Sequence, residues 1–183
     1  MKFCSSCGRE LARRVPANDD RERLVCDHCA IVHYQNPRIV VGCLPVWEER
    51  VLLCRRSIAP RLGYWTLPAG FMENCESTLE GALRETWEEA RARVRGESLY
   101  TIFDLPHISQ VYMFYRAELS APEYSAGPES SAVELFAEHE IPWDELAFPV
   151  INVTLERFFE DRRRGAFPVH SAVLRPQDWR RKG

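Results

Sequence analysis

The sequence predicts a mixed α/β fold behind a small metal-dependent unit, and three features carry that reading. After residue 37, strand-type apolar runs alternate with two amphipathic helical segments. Ahead of them, Cys4-x-x-Cys7 and Cys26-x-x-Cys29 are separated by eighteen residues, the spacing of a four-cysteine zinc ribbon. Between the strands, Gly70-Phe-Met-Glu-Asn-Cys-Glu76 leads into a segment carrying Glu85, Glu88 and Glu89. A chain of 183 residues has room for one good-sized core and a small appendage.

The ribbon is expected over residues 1–33, with 15–23 as a polar excursion between its knuckles. So short a piece has little core of its own, and a bound Zn2+ would supply most of its folding energy. Two disulfides fit less well because no export signal precedes them, and a redox pair fits less well because two matched knuckles are present. His28 and His33 read as surface or packing histidines, and Cys43, Cys54 and Cys75 have no partner spacing. Tyr34-Gln-Asn-Pro37 marks the boundary. Residues 38–46 and 50–54 then read as paired strands across Trp47-Glu-Glu-Arg50, followed by a basic loop at 55–63.

Residues 64–70 lead to a glycine turn, and Ser77-Thr-Leu-Glu80 is a capping box that starts a helix near Thr78. Leu79, Ala82, Leu83, Thr86, Trp87 and Ala90 recur at helical spacing and form the expected buried stripe. Strands are expected at 99–103 and 110–119, a loop at 121–131, a short strand at 132–137 and a helical turn at 141–146. A second long helix spans 149–164, its closing arginines suited to the negative end of the helix dipole. Residues 165–183 are expected to lie along the surface.

The net charge of −3 argues against duplex nucleic acid as the main partner; weak or local RNA contact stays open. Only Lys2 and Lys182 are lysines, so nearly every cation is an arginine, which suits bidentate phosphate recognition. A biased genome composition accounts for that as well. No apolar run approaches a membrane span and no hydrophobic signal core opens the chain, so a cytoplasmic location is expected.

Glu85, Glu88 and Glu89 stand at i, i+3 and i+4, with Cβ atoms roughly 5–6 Å apart on a helix. Oxygen ligands so placed suit a hard divalent cation, Mg2+ or Mn2+. The alternative is a solvated acidic face on which Arg84 and Arg91 pair with Glu88. The joint occurrence of the glycine turn, Glu76, the cap and the Arg84-Glu85-x-x-Glu88-Glu89 run favours the metal site.

This segment closely resembles the Nudix box, G-x5-E-x7-R-E-U-x-E-E-x-G-U, with U a bulky aliphatic residue. Gly70, Glu76, Arg84, Glu85, Glu88 and Glu89 fall in register, whereas Thr86, Arg91 and Ala92 depart. With arginine in place of the second glycine, the helix is expected to run on through Arg91 or to end in a different turn. The resemblance implies an α/β/α sandwich around a mixed sheet over residues 37–165, followed by a C-terminal tail at 166–183. It also implies Mg2+- or Mn2+-dependent hydrolysis of a nucleoside diphosphate linked to another moiety. Glu85, Glu88 and Glu89 would hold the metals, a backbone carbonyl of Ala69 or Gly70 would add a ligand, and Arg84 with Glu76 would brace the loop. Which glutamate acts as base stays open, and Glu129 and Glu134 are candidates for a further carboxylate from outside the box.

The ribbon in front resembles a subgroup of Nudix proteins. Its NADH-cleaving branch carries Ser-Gln-Pro-Trp-Pro-Phe-Pro-x-Ser after the box, of which residues 141–149 are a faint echo. The branch acting on FAD and ADP-ribose is more similar, through residues 104–112 and Pro106. The implied products are AMP with ribose 5-phosphate or FMN. NADH pyrophosphatase activity is the alternative. A non-catalytic nucleotide sensor or an RNA- or protein-binding module is another, disfavoured because a sensor has no need of three mutually repelling carboxylates. Adenine needs a stacking face, for which Phe71, Tyr112 and Phe114 are candidates. Arg55, with Arg56 and Arg61 on the same loop, is a candidate for phosphate, and His107 for substrate contact. The family also includes homodimers.

Overall fold

Residues 40–46 and 51–54 are apolar or small throughout, so strands built from them must be covered on both faces. The computed structural model describes residues 1–179 and shows how that is met. The chain divides into two units, Met1–Pro37 and Arg38–Gly183. In the first, β1 (Ala12–Arg14), β2 (Arg23–Val25) and β3 (Val32–His33) form an antiparallel three-stranded sheet in that order. The excursion between β1 and β2 is tied down by Arg23, whose Nε donates to Asp19 Oδ2 at 2.9 Å.

In the second unit, β4 (Arg38–Trp47) and β5 (Arg50–Arg56) form a hairpin that stays paired only at Val46–Val51 and Trp47–Arg50. Beyond that point the two strands part. β6 (Trp65–Thr66) pairs with β5 and β7 (Ala69–Phe71) pairs with β4; neither short strand was expected from the sequence. The remaining strands are β8 (Val94–Leu105), β9 (Gln110–Leu119), β10 (Ser130–Phe136) and β11 (His170–Val173). The order is β10-β5-β4-β9-β8-β11, with β4–β9 and β8–β11 parallel and the other pairs antiparallel. Residues 170–173, expected along the surface, therefore extend the sheet and cover the β8 edge.

Helix α1 (Thr78–Ala90) and helix α2 (Pro149–Arg164) lie on opposite faces. On one face Val41, Cys43 and Ala82 pack together, with Leu52, Cys54 and Ala90 in a neighbouring cluster. On the other, Leu44, Val51, Leu53 and Phe114 meet Ile151, Leu155, Phe158 and Phe159. Period-two alternation thus sends Cys43 and Leu44, or Leu52 and Leu53, to different layers. The result is an α/β/α sandwich with a mixed sheet. At the end of α2, buried Asp161 takes hydrogen bonds from Tyr100 of β8 at 2.8 Å and His170 of β11 at 2.6 Å. Burial pushes its carboxyl up, but the bonds from His170 and Tyr100 outweigh it and the net shift is downward. No helix among the described residues is long and apolar enough to cross a membrane.

α1 begins as expected: Ser77 Oγ accepts from the Glu80 amide and Glu80 Oε2 from the Ser77 amide. Its end differs from expectation. Arg91 takes the left-handed conformation itself, at φ 49°, and donates its amide to Trp87 O. The last carbonyls are met from outside the helix, by Ser125 N on Ala90 O and Gly127 N on Glu89 O, both at 2.9 Å. Trp87 is not in the buried stripe; it is 41% exposed. Ala82, Thr86 and Ala90 fill that face, because helix α1 meets the sheet along a narrower strip than the sequence periodicity implies.

A Cβ at Gly127 would overlap the Glu88 carbonyl. Gly127→Ala should therefore push the 125–127 segment off α1 and destabilise by about 1–3 kcal/mol, a Tm drop of roughly 2–12 °C for a chain of this size. An unchanged melting curve by calorimetry would remove this cap from the account.

Candidate active site

In the N-terminal unit, knuckle turns bring four sulfurs together. Cys4 Sγ is 3.6 Å from Cys29 Sγ, Cys7 Sγ is 3.5 Å from Cys26 Sγ and 3.8 Å from Cys29 Sγ. All four lie within 4.8 Å of one another. Tetrahedral zinc with Zn–S of about 2.3 Å sets sulfurs about 3.8 Å apart, so the cluster fits that ion. Amides of residues 29 and 28 point at Cys26 Sγ and hold its thiol down to about 6, favouring the thiolate a metal needs. His28 and His33 are not part of this group.

In the second unit, the parting of β4 and β5 leaves a cleft of about 1090 Å3 whose walls include Gly70, Phe71, Glu85, Glu89, Tyr112 and Glu129. Its centre is organised by Arg84. The guanidinium forks onto Glu76, with Nε to Oε2 at 3.0 Å and Nη2 to Oε1 at 2.8 Å. Nη2 also donates to Phe71 O at 3.2 Å, and Nη1 to Glu85 Oε1 at 2.8 Å and Glu88 Oε2 at 3.0 Å. One side chain thus joins the loop to the helix. The Arg84 bonds, with the Glu73 amide on Oε1, hold the Glu76 carboxyl down to about 2.

The remaining carboxylates differ in environment. Glu85 is pushed up by burial, which Arg84 only partly offsets. Glu89 is 6% exposed, accepts the Ala69 amide at 3.0 Å, and is pushed by burial from its ordinary 4.5 up to about 8. The charge of Glu129 adds to both shifts. Gly70 has a physical requirement here, since a Cβ would fall on the Glu85 carboxylate.

Several expected residues are placed differently. Arg55 is turned away, its Nε donating to Gly63 O at 2.9 Å; its strand neighbour Arg56 lines the cleft, because consecutive strand residues face opposite ways. Arg61 stacks near Tyr64 and Glu134 is exposed on β10, both outside the cleft lining. Phe114 is a core residue with no exposure, while Phe71 and Tyr112 face the cleft. His107 also lines it. Arg38, which stacks on Phe71 at 4.5 Å, and Phe148, beneath Arg56 at 5.3 Å, carried no sequence signal as site residues. The three box carboxylates do not close onto one point: among the described residues only the cysteines form a group that tight. Arg84 draws Glu85 and Glu88 toward itself.

Residues 36–158 match the NUDIX domain family and residues 2–35 the Nudix N-terminal zinc ribbon family. The chain belongs to the Nudix hydrolases. A NUDIX hydrolase structure from Nitrosomonas europaea superposes with a TM-score of 0.89 at 52% identity, over 95% of this chain and 100% of that one. The NAD-capped RNA hydrolase NudC of Photorhabdus laumondii is 26% identical over 163 residues, 87% of this chain and 59% of that protein. Nudix hydrolase 19 of Arabidopsis thaliana is 33% identical over 105 residues, 54% of this chain and 22% of that protein. The chain therefore spans less than two thirds of the length of these curated relatives.

Nudix hydrolases act on nucleotide-containing small molecules and use divalent metals. The residues present fit such an ion. Glu85, Glu88 and Glu89 each keep one carboxylate oxygen without a hydrogen bond among the described residues, on the cleft side of α1, and an all-oxygen set suits a hard cation.

One zinc per chain is expected from elemental analysis. Cys7→Ser should lose that zinc and lower the melting temperature of the ribbon; a variant that keeps zinc and melts like the parent would contradict the four-cysteine site.

Glu89 also gives a pH signature. Its folded pKa lies above its unfolded one, so the protonated acid favours folding: the contribution is full below about 4.5 and is lost as pH rises through about 8. In EDTA, the Tm of the protein should fall across that window, and Glu89→Gln should flatten the fall. Parallel Tm–pH curves for the two proteins would refute the buried-acid account.

Proposed function

We propose that this chain hydrolyses the pyrophosphate bond of ADP-ribose or FAD, releasing AMP with ribose 5-phosphate or FMN. The observation that carries the reading is a cleft whose lining combines two chemistries: the carboxylates Glu85, Glu88 and Glu89, and a cationic and aromatic set made of Arg38 on Phe71, Arg56 on Phe148, and Tyr112. A pyrophosphate flanked by a planar base and a second group needs both. A bound Mg2+ or Mn2+ would screen the phosphate charge and acidify the attacking water.

The chain's own residues do the rest. Glu85, Glu88 and Glu89 would hold the cation, and a carbonyl of Ala69 or Gly70 would add a ligand. Arg84 and Glu76 keep loop and helix in register and do not touch substrate. Glu129 supplies the carboxylate from outside the box, and Arg56, not Arg55, faces the phosphates. Phe71 and Tyr112 offer faces for adenine. The ribbon zinc serves structure, since four cysteines leave no open coordination position.

A second reading is an NAD-type substrate, favoured by the 87% of this chain that aligns with NAD-capped RNA hydrolases. The absence of the NADH-type motif after the box weighs toward ADP-ribose and FAD. With Mg2+ or Mn2+, kcat/KM for ADP-ribose and FAD should exceed that for NADH and nucleoside triphosphates, and Glu89→Gln should cut turnover by about 10²-fold or more with the fold intact. Discrimination through missing apolar contacts is commonly about 1–3 kcal/mol, so a graded preference is the expected form. NADH ahead of ADP-ribose and FAD by tenfold would move the assignment to the second reading; an active Glu89→Gln protein with normal cation dependence would overturn the site.

A further inference from the structure

The periodicity of α1 assigns Trp87 to the core, yet the indole stands 41% exposed between two arginines. Arg93 Cζ lies 4.6 Å and Arg91 Cζ 5.6 Å from its ring centroid. Among the described residues neither guanidinium has an ion pair or side-chain hydrogen bond, whereas Arg84, on the same helix, is fully engaged with carboxylates. Other arginines without an ion pair among the described residues also lie over rings, as Arg38 does over Phe71 and Arg61 over Tyr64, but at Trp87 two such guanidiniums share one exposed indole. Arg91 also holds the left-handed conformation that arginine adopts at a cost of about 1–2 kcal/mol, and backbone strain of this kind concentrates at functional sites. It is the residue that joins the two features, because Arg91 lines the catalytic cleft while its guanidinium sits over Trp87.

We infer that Trp87, Arg91 and Arg93 form a binding surface for single-stranded nucleic acid, running outward from the mouth of the cleft. Unstacked bases bind on aromatic rings and on guanidinium planes, and the free N–H groups of the arginines take the phosphates between them. A duplex keeps its bases stacked and offers the indole nothing. The surface goes beyond the small-molecule reading and does not depend on which pyrophosphate the cleft prefers.

The test is fluorescence anisotropy of a labelled, unstructured RNA of about ten nucleotides with the intact, zinc-loaded protein. Wild type should bind it more tightly than the same RNA annealed to its complement. Trp87→Ala and Arg93→Ala should each raise Kd by about 5- to 150-fold, the loss of one stacked base, while Trp87→Phe keeps most of the affinity and Arg93→Lys recovers only part. With two phosphate contacts, Kd should rise about sevenfold between 50 and 200 mM salt. All variants should melt with wild type and keep its rate on ADP-ribose. If wild type cleaves no pyrophosphate but the Trp87-dependent RNA affinity stands, the functional reading falls and this one survives. No RNA binding, equal affinity for duplex, or full affinity in Trp87→Ala overturns it. So does Trp87-dependent binding to phosphatidylglycerol vesicles that exceeds RNA binding, which would make the patch a lipid contact.

Discussion

The loop and the helix that frame the cleft are tied together by one guanidinium. Arg84 touches Glu76 and Phe71 O on the loop and Glu85 and Glu88 on the helix, so the loop cannot move without dragging the carboxylates. Each of these bonds is charge-assisted or nearly so, and the fork onto Glu76 fixes an orientation as well as a distance. Two consequences follow from the same contact. Glu76 is held ionised far below its ordinary range, and Arg84 is held charged. A lysine in its place would carry the charge but lose the planar fork.

The scaffold presents that keystone by failing to close. A hairpin whose strands stayed paired throughout would leave β4 and β5 side by side; instead β6 and β7 occupy the space between them. The Ala69 amide at the edge of β7 then faces the Glu89 carboxylate. Burying Glu89 with one hydrogen bond to its carboxylate among the described residues keeps its charge costly. That cost is what makes the group responsive to a proton or a cation.

The far end of α1 shows the complementary economy. Its last carbonyls are satisfied by residues 125 and 127, and the same loop carries Glu129 into the cleft. A helix cap and a site residue are thus positioned by one short segment. The close approach at Gly127 makes the helix end and the loop a single packed unit.

What the sequence by itself determined were features written in short range. The capping box at Ser77 and Glu80, the limits of α2, the strand at 110–119, the cysteine quartet and the box carboxylates all depend on neighbours within a turn or on residue chemistry. The tertiary structure alone decided which arginine of Arg55 and Arg56 faces the cleft, since strand parity depends on the sheet register. It also decided the fate of Phe71, Tyr112 and Phe114, three aromatics of equal sequence standing that ended half-exposed, lining and buried. Arg38 and Phe148 came to the site from elements far apart in the chain. Trp87 shows the reason most plainly: helical periodicity says which residues share a face, but how wide a strip the sheet covers is set by the partner layer, which no local pattern records.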